Sequence, residues 1–167
     1  MVNKEKTVCF SRHRSEKGTQ LADDSEKLRV GLYEEIDKAV KDGFDTFIFS
    51  ACYGFGLICA EMVLLRQKVV KQSDPKCIRL IATVPFEEQS SKWSIRDREL
   101  YFRILSKCDE VITISTRFNM NCCRKCNRYM VDNSSRLISY YNDGSSGTDY
   151  TVSYAKKKGC EIIKLYK

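Results

Sequence analysis

The 167-residue sequence holds one histidine, two prolines, one tryptophan and no apolar run near the ~20 residues needed to cross a bilayer. Each scarcity excludes something. A single histidine, His13, leaves no multi-histidine metal site and argues against a Ser-His-Asp triad. Without a long apolar segment there is no membrane-spanning helix. The opening "MVNKEKTVCF" is not a signal peptide, so a cytoplasmic protein is expected. No linker, repeat or low-complexity stretch breaks the chain, and residues 1–167 read as one domain with one core. Acidic residues are in deficit: 22 Asp and Glu against 29 Lys and Arg leave a net charge of +7. That excess suits an anionic partner, whether a nucleotide, a nucleic acid or another phosphate ester; the alternative is a solvated basic surface.

Cysteine, by contrast, is plentiful, with nine residues. Cys9, Cys52, Cys59, Cys77, Cys108 and Cys160 sit in apolar surroundings and read as small core residues of a reducing compartment. An odd count without even spacing argues against a disulfide framework. In "CCRKCNR", Cys123 and Cys126 form a CxxC beside Cys122. A zinc site needs four ligands and no second pair supplies the rest, so no metal is expected. On a helix, Cys122 and Cys126 would share a face, as core residues do.

Short β-like runs alternate with helical ones from end to end. Strands are expected at 7–10, 45–51, 77–85, 109–115, 136–141 and in "EIIKLY". Helices are expected between them, the first carrying Leu28, Leu32, Ile36, Ala39 and Val40 at helical spacing, with Ser25 as cap and Gly43 as stop. The alternation predicts an α/β protein: a single Rossmann-like, doubly wound, mostly parallel sheet flanked by helices. Such sheets bind ligands at the carboxyl ends of their strands, where strand order reverses.

The strand-to-helix segments are therefore the candidate site. After strand five come Asp143, Gly144, Ser145, Ser146, Gly147 and Thr148, ahead of a helix whose free N–H groups could hold a phosphate; a plain capped turn fits the spacing equally well. After strand two, Ser50, Gly54 and Gly56 repeat the pattern, for a ligand or for packing. After strand one come Ser11, Arg12, His13 and Arg14, with arginine forks suited to phosphate. After strand three come Pro85, Phe86, Glu87 and Glu88, then Trp93. The two carboxylates are the weak catalytic candidates, or caps for the helix near Ser94. Trp93 offers a stacking face or ordinary packing.

Together these segments resemble the SLOG superfamily (SMF/DprA–LOG), and within it the YpsA-like branch of small bacterial and phage proteins. The likeness runs through nearly the whole chain: "TVCFSRHR", "GFDTFIFSACYGFGLICAE", "PFEEQSSKWSIRDRELYFRIL" and "CNRYMVDNSSRLISYYNDGSSGTDYTVSYAKKKG". It implies a Rossmann-like nucleotide-binding domain, commonly a homodimer. It also implies two relatives' activities as alternatives: a phosphoribohydrolase-like N-glycosidase, and single-strand nucleic-acid binding of the DprA type.

The departures bear on these. Ser11-Arg12 stands where the branch has Thr-Gly, Ser50-Ala51 where it has two glycines, and Gly56 where aspartate is common. Phosphoribohydrolases carry a glutamate two to three residues after their G-T, and here those positions are Tyr150 and Thr151. Arg128 matches their substrate arginine in spacing, without its acidic partner. Loss of that carboxylate, worth roughly 10² to 10⁴ in rate, tilts the expectation from enzyme to binder. The expected protein senses or sequesters a nucleotide-derived ligand and needs no cofactor. Ser145, Ser146, Gly147 and Thr148 would hold a phosphate, with Arg12, Arg14 and Arg128 neutralising charge and Phe86 or Trp93 flanking a base. A structural role with a vestigial cleft is the remaining alternative.

Overall fold

The computed structural model describes residues 1–12, 25–73, 77–141 and 150–166. In chain order the elements are β1 (Thr7–Arg12), α1 (Ser25–Lys41), β2 (Thr46–Ser50), α2 (Phe55–Ser73), β3 (Arg79–Val84) and α3 (Ile95–Leu105). They continue with β4 (Glu110–Thr113), α4 (Cys122–Asp132), β5 (Arg136–Tyr141), α5 (Tyr150–Lys157) and β6 (Glu161–Tyr166). The six strands form one parallel sheet in the order β4-β3-β2-β1-β5-β6. This is the α/β architecture expected from the alternation.

The two-residue period of a strand divides the core in two. Val8 and Phe10, Phe47 and Phe49, Leu80 and Ala82, Ile138 and Tyr140 point to one face, where α1, α2 and α3 cover them. Cys9, Ile48, Ile81 and Leu137 point to the other, against Met130 and Val131 of α4 and Val152 and Ala155 of α5. Both faces being covered, the central strands read as unbroken apolar runs. α1 buries the stripe Leu28, Leu32, Ile36 and Ala39, and the chain leaves it through Gly43 at φ +98°.

Three expectations need correction. Strand one does not end at Phe10. β5 pairs with it as far as Ser11↔Ser139 and Arg12↔Tyr140, so both residues belong to the strand rather than to the loop beyond it. Cys77 is exposed, because β3 starts two residues after it, and Cys52 and Cys108 are only half-buried. α3 is capped by Ser94, whose Oγ accepts from the Asp97 N–H at 3.1 Å, leaving no such task for Glu87 or Glu88.

The strand order locates the site. From β1 to β4 the chain moves toward one edge; it then crosses back to place β5 on the other side of β1. β1 feeds α1 on one face and β5 feeds α5 on the opposite face. A crevice must therefore open at the carboxyl ends of β1 and β5.

Candidate functional site

A cleft of about 510 Å³ occupies that position. Its sheet side is Phe10, Ser11 and Arg12 of β1 with Ser50 at the end of β2. Cys52, Tyr53, Phe55 and Gly56 bring in the start of α2. Met120, Cys123, Arg124 and Asn127 of the α4 region form the facing wall, and Tyr150 and Thr151 contribute the first turn of α5.

Each group is held by local chemistry. Ser11 Oγ donates to Ser139 Oγ at 2.8 Å, a buried bond that ties β1 to β5 directly beneath the cleft. The Arg12 guanidinium lies 5.9 Å from the centre of the Tyr140 ring. Its Nε is buried and has no hydrogen-bond partner among the described residues. A buried N–H without an acceptor costs about 1–3 kcal/mol, so an acceptor placed here would be stabilising. Across the cleft, the Arg124 guanidinium sits 4.7 Å from the Tyr150 ring centre, a cation–π arrangement that fixes both side chains on the wall. No Asp or Glu lines the cleft among the described residues; the described charged groups there are two guanidiniums, beside the amino-terminal turn of α5.

The two glycines of the β2–α2 connection have separate reasons. Gly54 adopts φ +89°, which L side chains avoid. At Gly56 a Cβ would stand 1.8 Å from the Ser50 carbonyl oxygen; only glycine lets α2 begin so close to the end of β2. Packing therefore suffices to explain Gly56, which also lines the cleft.

The segment after β3 shapes this connection from behind. Gln89 Nε2 donates to the Ala51 carbonyl at 2.7 Å and to the Tyr101 hydroxyl at 3.3 Å. Trp93 packs edge-on against Tyr53, with centroids 5.3 Å apart, and against Tyr101 at 5.2 Å. The Tyr53 hydroxyl makes a long contact, 3.5 Å, to Asp97 Oδ2. Gln89, Trp93, Asp97 and Tyr101 thus hold residues 51–53 in place, and burial raises the Tyr101 hydroxyl above its ordinary pKa.

Of the residues singled out in the sequence, Ser11, Arg12, Ser50 and Gly56 line the cleft, and Gly54 adjoins it. Pro85, Phe86, Trp93, Glu87, Glu88 and Arg128 do not. Pro85 is buried behind the end of β3, and Glu87 and Glu88 stand exposed on the turn that follows. Phe86 packs edge-on against Phe118 at 5.4 Å. Arg128 lies over the Tyr154 ring at 5.0 Å. His13, Arg14, Asp143, Gly144, Ser145, Ser146, Gly147 and Thr148 lie outside the described residues.

Sequence reasoning missed Arg124, Asn127, Cys123, Met120, Cys52, Tyr53 and Tyr150. For α4 the signal was available: Cys122, Cys126 and Met130 are its buried stripe, so the adjacent stripe through Cys123, Arg124 and Asn127 borders the strand ends. All nine cysteines are thiols. Among the described residues no three His, Cys, Asp or Glu side chains gather as metal ligands would, and no helix is long and apolar enough to cross a membrane.

Comparison with known proteins adds kinship. The family model for YpsA, described as the YspA SLOG family, matches residues 20–164. A UPF0398 protein of Bacillus cereus is 31% identical over 142 residues, covering 80% of this chain and 72% of the relative. The uncharacterized SPbeta prophage-derived protein YoqJ of Bacillus subtilis is 32% identical over 112 residues, covering 59% of this chain and 65% of the relative.

Proposed function

The chain belongs to the YpsA SLOG family, and from that premise we propose that it binds a nucleotide or nucleotide-derived ligand in the cleft at the strand ends. One observation carries this: in a cleft with no described carboxylate, the Arg12 guanidinium holds a buried Nε that no described residue satisfies. A phosphate oxygen supplies the missing acceptor and the compensating charge. Arg124 answers it from the facing wall; the phosphate loop expected at 143–148 lies outside the described residues. Tyr53, 56% exposed at the rim, offers a ring for the base.

Binding rather than glycosidic cleavage is the reading we favour. Glu87 and Glu88, the carboxylates available for acid–base work, do not line the cleft. Binding needs only donors and positive charge, and these are present.

Isothermal titration of the folded protein against a panel of nucleotides tests the proposal. A ligand should emerge whose affinity falls roughly tenfold to a hundredfold in Arg12→Met, the loss expected for a charge-assisted hydrogen bond. The same ligand should slow alkylation of Cys123, which is exposed and lines the cleft, and leave exposed Cys77, away from it, unprotected. Silence across the panel, or equal protection of both thiols, would overturn it.

A further inference from the structure

The cleft does not end at its own wall. Met120, 94% exposed, lines it, and two residues earlier Phe118 stands 68% exposed. A phenylalanine in solvent forgoes hydrophobic stabilisation that burial would supply, so a surface that presents one invites an occupant. The presentation is built rather than loose. The segment from β4 to α4 starts with the Ile114 N–H bonded to the Val84 carbonyl at 2.8 Å. Asn119 then ties it internally, its side chain donating to Ser115 Oγ at 3.2 Å and accepting from the Asn121 N–H at 3.0 Å. Phe86, just past the end of β3, meets Phe118 edge-on with ring planes at 74°. The pair therefore sits at the carboxyl edge of the sheet, one strand beyond β2, whose end borders the cleft.

Charge decides what chemistry fits. Arg117 adjoins Phe118 in the chain and Arg124 lines the cleft, neither in an ion pair among the described residues, while the exposed Glu87 and Glu88 follow Phe86. An exposed aromatic pair beside a cleft of about 510 Å³ that holds two guanidiniums matches a strand of nucleotides better than an apolar protein face.

We infer that Phe118, backed by Phe86, is an outer stacking subsite for a second base, so that the preferred ligand class is a phosphate-linked dinucleotide or the end of a short single strand. This rests on the cleft binding a nucleotide in the first place. The inner nucleotide occupies the cleft at Arg12 and Arg124; the linking phosphate passes the α4 start; the outer base lies on Phe118.

The test compares 5′-AMP with the 5′-phosphorylated dinucleotide pApA by titration on the full chain. Wild-type protein should bind pApA roughly tenfold more tightly than AMP, the scale of one stacked base. Phe118→Ala should erase that excess and leave AMP affinity unchanged, and Phe118→Tyr should restore it. The side chain is exposed, so folding is spared. Equal affinity of wild type for the two probes, or equal weakening of both in Phe118→Ala, would overturn the subsite and leave the cleft reading standing. Silence toward both probes and toward the wider panel would take down both. Concentration-dependent self-association abolished by Phe118→Ala would assign the patch to a second copy of the chain and also overturn the subsite.

Discussion

Two arginines, one at each end of the sheet, show how differently the same side chain is treated. At the amino end, Arg136 opens β5. Its Nε donates to Glu161 at 2.7 Å and its Nη1 to Asp42 at 2.8 Å, and the guanidinium lies 4.4 Å from the centre of the Phe44 ring. Two of its donors, its charge and its flat face are engaged by the protein itself, and it joins β5, β6 and the turn after α1. At the carboxyl end, Arg12 closes β1 with a ring contact to Tyr140 but a buried Nε that lacks a described acceptor. A satisfied arginine is an adhesive. One whose Nε finds no acceptor among the described residues is, in the reading proposed above, the group that receives an anion, at a small standing cost to stability.

The strongest attack on the carboxyl end is Gly56→Ala. With its new Cβ 1.8 Å from a backbone oxygen, the variant should lose at least about 3 kcal/mol, the upper range for overpacking. That is roughly 6–12 °C in Tm for a chain this size, read by thermal denaturation. A variant as stable as wild type would show that the start of α2 can move, and the cleft wall with it.

Next in size is Arg136→Ala, which strands two half-exposed carboxylates and a ring. We expect a loss of about 2 kcal/mol, or roughly 4–8 °C, with nucleotide affinity unchanged in the folded protein. If affinity fell as far as stability, the division of labour between the two ends would collapse.

Alkali sharpens the contrast between interior and cleft. Burial pushes the Cys9 thiol up to about 12, while the unfolded chain ionises near the ordinary value. The stability tied to the neutral thiol is therefore intact below about pH 9 and is lost as pH rises toward 12, by at most about 1.4 kcal/mol per pH unit. Urea titrations at pH 8, 9 and 10 should show the decline, with pH 7 and 8 alike. Cys9→Ala should make the decline shallower without abolishing it, because burial also raises the Cys59, Cys108 and Cys126 thiols, and an unchanged slope would contradict the assignment.

Gln89→Leu removes the bonds to Ala51 and Tyr101 and should cost about 1 kcal/mol with a few-fold loss of ligand affinity, because residues 51–53 are no longer held. The smallest change in stability belongs to Arg12→Met. Tm should stay level or rise slightly, since a buried unsatisfied donor is removed, even as affinity drops. A fall in Tm as large as that of Arg136→Ala would mean that Arg12 is structural too.

How much of this could be read in the chain differs between fold and site. The sheet was legible because its signals are local. Strand runs such as "RLISYY" and the Leu28–Ala39 stripe record burial on a face, and burial follows from two-residue and 3.6-residue periods. Arg12, Ser50 and the glycine connection were legible because parallel sheets bind at their strand ends. Trp93 and Phe86 misled as cleft residues, because an aromatic after a strand looks the same whether it faces a ligand or, like Trp93, braces Tyr53 against Tyr101.

What the sequence by itself determined, then, was the set of strands and helices, the parallel architecture and the end of the sheet at which to look. Those depend on interactions between residues a few positions apart. Which side chains face one another across the crevice was decided only by tertiary structure. Arg12 meets the wall carrying Arg124, more than a hundred residues later, because the chain crosses from β4 back past β1 before laying down β5. No local period encodes a contact made by that return.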